Sequence, residues 1–340
     1  MIASPEILEA EPQTALLNSL VRGAPASTDK PANGAAPGEG CDESLYLIGR
    51  PTLKQFLRFV AREAVDPEDE ATLIAEWQAA RDYVSVLEKE EAGHADEPVI
   101  TTIKPDGKYE PLLIDFLKDP LVQNGFNSVP TEVAFVDLDR MVVYQHHIDL
   151  TFVRQLQKRL GASPGDEEIF RTCLPYDHPH PPAKWSRVDD RTFVFVSPSN
   201  DLRFLGNLRL KPGQLNDCPP PGALVGVLGL AVGFGSNFLN AVHVEGRLIL
   251  NNGSHRAYAL REMGITRVPC IVQHVPTRDQ LDVVATSAVR RDPDAFLKSP
   301  RPSMLKDYFN PRLRKIQRVN RCLKQVIVKF EVEEAYVPGF

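Results

Sequence analysis

Cysteine is scarce and scattered. Five stand among 340 residues, Cys41, Cys173, Cys218, Cys270 and Cys322, and no two form a CxxC pair. An odd, dispersed set excludes the disulfide framework of a small secreted domain and a cysteine-built zinc site. It fits a reducing compartment, and the cytoplasm is the expected location. The opening residues Met-Ile-Ala-Ser-Pro-Glu carry neither a basic stretch nor an apolar run, so no secretory signal is expected.

A membrane-length apolar run is also lacking. Cys218 to Val242 holds no charge, but its apolar centre, Ala223 to Phe234, is 12 residues long and contains Gly226, Gly229 and Gly233. Pro219, Pro220 and Pro221 precede it, and a spanning helix needs roughly 20 apolar residues. No membrane partnership is expected. The segment is read as buried or pocket-lining, and its glycines lack the GxGxxG spacing and following acid of a dinucleotide loop.

What is present is an ordinary globular composition, 43% hydrophobic and 25% charged, with a net charge of −6. The charge is unevenly spread. Residues 1–100 hold 19 acidic and 8 basic side chains, and residues 290–329 hold 12 basic and 3 acidic. That asymmetry marks either an anionic partner for the basic end or an electrostatic fit between the two ends.

Residues 1–44, rich in Ala, Pro, Gly and small polar residues, read as a flexible tail. Residues 45–100 read as a helical module. Leu53, Phe56, Leu57 and Val60 share one helical face. Asp66 and Pro67 offer a cap and N1 proline to a second helix with Leu73, Ile74, Trp77, Tyr83 and Leu87 inward. The pair suits packing or binding of a protein partner.

Residues 101–280 read as an α+β core. A strand is expected from Val133 to about Tyr144, then a helix from an Asp149 cap to Leu160. Residues 161–220 form a loop-rich insertion with a short strand at Thr192–Val196. Residues 281–340 form a basic extension. Arg314, Arg318 and Arg321 fall on one helix face there, with a terminal strand from about Val326. Docking between core elements is the expected role of that helix, with DNA or RNA binding the less favoured alternative.

The chemistry-bearing segment runs from Asn240 to Val275. Ala241–Val244 and Arg247–Leu250 read as strands joined by a Glu245-Gly246 turn. Asn251-Asn252-Gly253 breaks the second strand, Ser254 opens a helix, Gly264 ends it, and Arg267–Val275 is another strand. A glycine before a helix N-terminus lets backbone amides converge on an anion, which the helix dipole favours. Asn252, Gly253, Ser254, His255 and Arg256 therefore read as a phosphate cradle, in which Arg256 neutralises charge and His255 contacts phosphate or relays a proton.

This order of strand, Asn-Asn-Gly-Ser-His-Arg, helix, Gly, Val-Pro and strand resembles the ParB/sulfiredoxin superfamily, whose corresponding loops bind nucleotide phosphates. The resemblance covers about 70 residues, split by the insertion. It implies a ParB/sulfiredoxin-like core and a nucleoside triphosphate, ATP or CTP, as ligand. Magnesium is expected with the nucleotide, held largely by phosphate oxygens. The resemblance also places Gln145 and His146, where the first strand gives way to its helix, beside the nucleotide pocket. Ser254 stands where sulfiredoxins carry their essential cysteine, so sulfinic-acid repair is not implied. The glutamate and second arginine of the partition-protein loop are missing, and no helix-turn-helix follows Val275.

Asp137 and Asp139, on one face of the expected strand, are candidates for holding magnesium or acting as a base. With His255 they make the expected catalytic set. No resident metal site is expected, because His146 and His147 point to opposite strand faces and His178-x-His180 lies among prolines. The leading expectation is a protein that binds a nucleotide and hydrolyses it or transfers its phosphoryl group, with a DNA- or RNA-binding protein using the basic C-terminal segment, or a non-catalytic scaffold, as the alternatives. On that reading Arg256→Ala weakens nucleotide binding roughly tenfold or more without unfolding the chain.

Overall fold

A computed structural model describes residues 41–104, 107–178, 180–210 and 226–338. The chain begins there with strand β1 (Cys41–Leu47), followed by α1 (Leu53–Glu63) and α2 (Glu70–Glu90). Next come β2 (Thr101–Thr102), α3 (Glu110–Leu117), α4 (Pro120–Gly125) and β3 (Thr131–Asp137). A short 3-10 turn (Leu138–Arg140), β4 (His147–Asp149), α5 (Leu150–Leu160) and α6 (Asp166–Cys173) follow. Strands β5 (Lys184–Asp189), β6 (Thr192–Ser197), β7 (Leu202–Leu210) and β8 (Val227–Phe234) lead to β9 (Asn240–Val244) and β10 (Arg247–Asn252). Then come α7 (Ser254–Glu262), β11 (Arg267–His274), α8 (Arg278–Val284), α9 (Ser287–Arg291) and α10 (Asp294–Leu297). A 3-10 stretch (Leu305–Phe309), β12 (Arg314–Asn320) and β13 (Lys324–Lys329) complete the order. The class is α+β.

The central sheet runs β10-β9-β11-β3-β2. Strands β9 and β11 are parallel, and the other pairs are antiparallel. Strand alternation explains why the β9–β10 hairpin is apolar on both sides. Ala241, Leu248 and Leu250 face a core shared with Ala257 and Leu260 of α7. Val242, Val244 and Ile249 face a second core with Leu281, Val289, Leu297 and Met304. Both sheet faces are therefore covered, and burying each such Val, Leu or Ile contributes about 1.5–3 kcal/mol. The two-residue turn lies at Glu245 (φ 47°) and Gly246 (φ 72°), the left-handed pair that a tight hairpin needs.

Strand β1 lies between β12 and β4 and divides two clusters. Leu45 and Leu47 join the central core, whereas Tyr46 and Ile48 pack with Phe56, Val60, Leu73 and Val84 of the helix pair.

Several expectations are corrected. Residues 1–40 lie outside the described residues, but Cys41–Ser44, assigned to the tail, belong to β1. The second helix is capped by Asp69, whose carboxylate accepts from Thr72 N at 3.0 Å, and not by Asp66. Strand β3 stops at Asp137, because the Asp137 side chain accepts from Asp139 N at 2.9 Å and turns the chain into the 3-10 segment. The insertion is not loop-rich throughout. It contains α6, β5, β6 and β7, with β6 where a strand was expected. The glycine-rich segment, of which 226–242 is described, forms β8, paired with β7 alone and half-exposed, with Leu228 64% exposed.

The basic residues from Arg314 form strand β12, not a helix, because β1 offers a full antiparallel register from Cys41–Asn320 to Leu47–Arg314. Its cations meet the acidic N-terminal part. Lys315 donates to Glu68 at 2.8 Å and to Glu76 at 2.5 Å, and Arg321 donates to Asp42 at 3.0 Å. Arg301, 1% exposed, bridges Glu91 at 3.0 Å and Asp307 at 2.5 Å. Part of the charge asymmetry is thus taken up by ion pairs within the chain. Among the described residues no helix is long and apolar enough to cross a membrane.

Candidate functional site

The junction of β10 and α7 is built from amide side chains. Asn252 Oδ1 accepts from Gly253 N at 2.9 Å, and its Nδ2 donates to Ser236 O at 2.8 Å. Asn251 Nδ2 donates to Asn240 Oδ1 and to Val284 O, both at 3.1 Å, while Tyr144 Oη donates to Asn251 O at 2.9 Å. Gly253 takes φ +95°, and a Cβ there would lie 2.7 Å from Leu239 Cδ1. Glycine is required by both conformation and space.

From Gly253 the chain enters α7, nine residues long. The first-turn amides of a helix have no intrahelical acceptor, and those of Ser254, His255 and Arg256 make no backbone hydrogen bond to a described residue. They present the positive end of the α7 dipole.

Beside this junction is a polar cleft of about 340 Å³, lined among others by Tyr144, Arg203, Asn240, Asn252, Gln273 and Thr286. That volume falls within the range of small-ligand sites. The Thr286 hydroxyl is buried with no hydrogen-bond partner, and a buried orphan of this kind calls for a ligand or water.

The sequence-predicted residues divide between this site and elsewhere. Asn252 and Gly253 form its edge, and Ser254 opens α7. Arg256 sits in the same turn, but its guanidinium donates to Cys173 O at 3.0 Å and Asn237 O at 2.8 Å, and also contacts Asn237 Oδ1. It is buried, and it forms no ion pair with a described carboxylate. Burial lowers its pKa, opposed in part by the nearby Asp201 carboxylate, and its charge adds to the positive potential at this end of the helix.

His255 lies on the α5 side of α7, edge-on to Phe152 with ring centroids 5.6 Å apart. Its Nε2 is buried without a partner, and burial pulls its pKa down to about 4. The ring is neutral at pH 7 and packs away from the residues that line the cleft. His146 is likewise held at about 4 by burial and lies edge-on to Tyr46. Gln145 donates from Nε2 to His147 O at 2.9 Å, and its own carbonyl accepts from Tyr308 Oη at 2.6 Å.

Asp137 and Asp139 are at the other end of α7. Asp139 accepts from Arg261 Nε at 2.6 Å in the last turn of that helix, about 10 Å along the axis from Ser254. They do not join His255. His178 and His180 also separate, the first 2.6 Å from Asp119 and the second stacked beside Phe234. Among the described residues no three His, Cys, Asp or Glu side chains converge on one metal position.

Tyr144, Arg203, Asn240, Gln273 and Thr286 were not singled out from sequence. A signal existed for two of them: Asn240 and Gln273 are polar residues set in the apolar strands Asn-Ala-Val-His-Val and Arg-Val-Pro-Cys-Ile-Val-Gln-His. Comparison with protein-family models, curated proteins and solved structures finds no match.

Proposed function

We propose that the chain binds a nucleotide, with its phosphates at the N-terminus of α7 and its base among the amides of the adjoining cleft. The observation that carries this reading is the continuity of the two: Asn252 lines the cleft and Gly253, the next residue, starts the helix whose first-turn amides are unpaired. A nucleobase edge presents alternating donors and acceptors, and the side chains of Asn240, Asn252 and Gln273 can supply both. The ParB/sulfiredoxin-like core, and ATP or CTP with Mg2+, belong to the same proposal. So does hydrolysis or phosphoryl transfer, which depends mainly on positioning and electrostatics. Of the expected catalytic groups, His255 is the one at this end of α7. Nucleic-acid binding has less support, since Lys315, Arg301 and Arg321 are engaged by carboxylates.

The test is a thermal-shift series with ATP, ADP, CTP and GTP plus magnesium. It compares wild type with Gln273→Leu, which removes an amide that has no described hydrogen-bond partner of its own. A ligand bound only by the folded state raises the melting temperature. A shift in wild type and roughly tenfold weaker affinity in Gln273→Leu are expected. No shift at saturating nucleotide sinks the reading.

A further inference from the structure

A separate constellation lies at the far end of the parallel strands. His243 of β9 and His274 of β11 are direct register partners. Their Nδ1 atoms are 3.1 Å apart, with ring planes at 89°. On the far side of His274, Nε2 is 2.8 Å from Glu132 Oε1 of β3. Carboxylate, imidazole and imidazole thus stand in line across three strands. Both histidines line a cleft of about 290 Å³ walled by Pro130 and Pro276.

The line has a defined polarity. Glu132 accepts the Nε2–H of His274, which leaves the His274 Nδ1 lone pair directed at His243. Two imidazole nitrogens this close are spanned by one metal ion about 2.1 Å from each, at an N–metal–N angle of about 95°. A carboxylate on the remote nitrogen of a ligating histidine fixes the tautomer and raises ligand basicity. We propose that His243 and His274, backed by Glu132, bind a divalent transition-metal ion of the zinc class in an open two-histidine site.

Without metal, His243 donates its Nδ1–H to His274. On binding, that proton moves to the Nε2 of His243, both Nδ1 lone pairs face the ion, and no net proton is released. Glu245, also on the cleft, is held by Arg278 at 3.0 Å. Two protein nitrogens leave the remaining positions to water or an exogenous ligand, one protein ligand fewer than the usual open zinc site. Imidazole donors select zinc, copper or nickel over magnesium or calcium.

The experiment titrates the full chain with Zn2+, and with Co2+ for its visible absorption, in wild type, His243→Gln and Glu132→Gln. One ion per chain is expected in wild type. His243→Gln should bind at least roughly tenfold more weakly, and Glu132→Gln roughly 10–100-fold more weakly. Imidazole NMR of the wild type provides a measurement that does not depend on any variant folding. Of eight histidines, the two assigned to His243 and His274 should shift with Zn2+. Absence of uptake by wild type, wild-type affinity retained in both variants, or shifts confined to other histidines would overturn the proposal.

Discussion

The Arg256 guanidinium donates to the carbonyl oxygen of Cys173, 83 residues away in sequence, at 3.0 Å. This contact ties the first turn of α7 to the last residue of α6, where the negative helix end favours a cation and the same carbonyl also accepts from Leu239 N at 2.8 Å. The same side chain holds Asn237 just before β9.

Arg256→Ala is therefore expected to destabilise the fold, revising the expectation that it would only weaken ligand binding. Losing the charge-assisted bonds of a buried guanidinium costs about 3 kcal/mol, although Cys173 O keeps Leu239 N as a donor. Urea unfolding of wild type and variant measures it. An unchanged midpoint would mean that the tie contributes nothing.

Gly253→Ala forces a Cβ into left-handed backbone and against Leu239, 2.7 Å away. A loss of about 1–3 kcal/mol is expected, with nucleotide affinity falling because the amides of α7 are re-aimed. Ligand-free and ligand-bound melting curves separate the two effects. A variant as stable as wild type would refute the strain.

Acid should weaken this protein before most carboxylates protonate. His255 and His146 are held at about 4 by burial, against 6.5 in the unfolded chain. Between those values the unfolded chain takes up protons that the folded chain does not. Stability is full above pH 6.5 and falls as pH drops toward 4, by up to about 3 kcal/mol per ring. His255→Gln should flatten the profile between pH 6.5 and 4.5. A slope identical to wild type would count against a buried neutral ring.

Lys315→Ala should cost about 1 kcal/mol, a modest loss because Glu68 and Glu76 remain half-exposed. It should leave any duplex DNA affinity unchanged, since this cation is engaged internally. Electrophoretic mobility shifts at two salt concentrations test it. Strong binding that falls steeply with salt and weakens in the variant would restore the polyanion reading.

The β9–turn–β10–α7–β11 run was legible in sequence, because each piece is specified locally. Glu245-Gly246 makes the hairpin turn, Gly253 takes the left-handed residue before α7, Gly264 ends the helix, and apolar strands alternate between two cores. The helix pair and α5 were legible from the same short-range signals, the latter with its Asp149 cap accepting from Phe152 N at 2.9 Å.

Long-range pairing decided what the sequence left open. Residues 314–320 carry charges at helical spacing, yet β1, about 270 positions earlier, presents a strand edge that makes them β12. Asp137 and Asp139 sit near His255 in no linear sense, and α7 holds Asp139 at its opposite end through Arg261. Arg256 reads as a phosphate ligand by its neighbours in sequence, but its partners Cys173 and Asn237 are supplied only by packing. His243 and His274 are separated by 31 residues and meet because parallel β9 and β11 place them in register. Local chemistry set turns, caps and strand faces, whereas the company each polar side chain keeps was set by which distant backbone it was packed against.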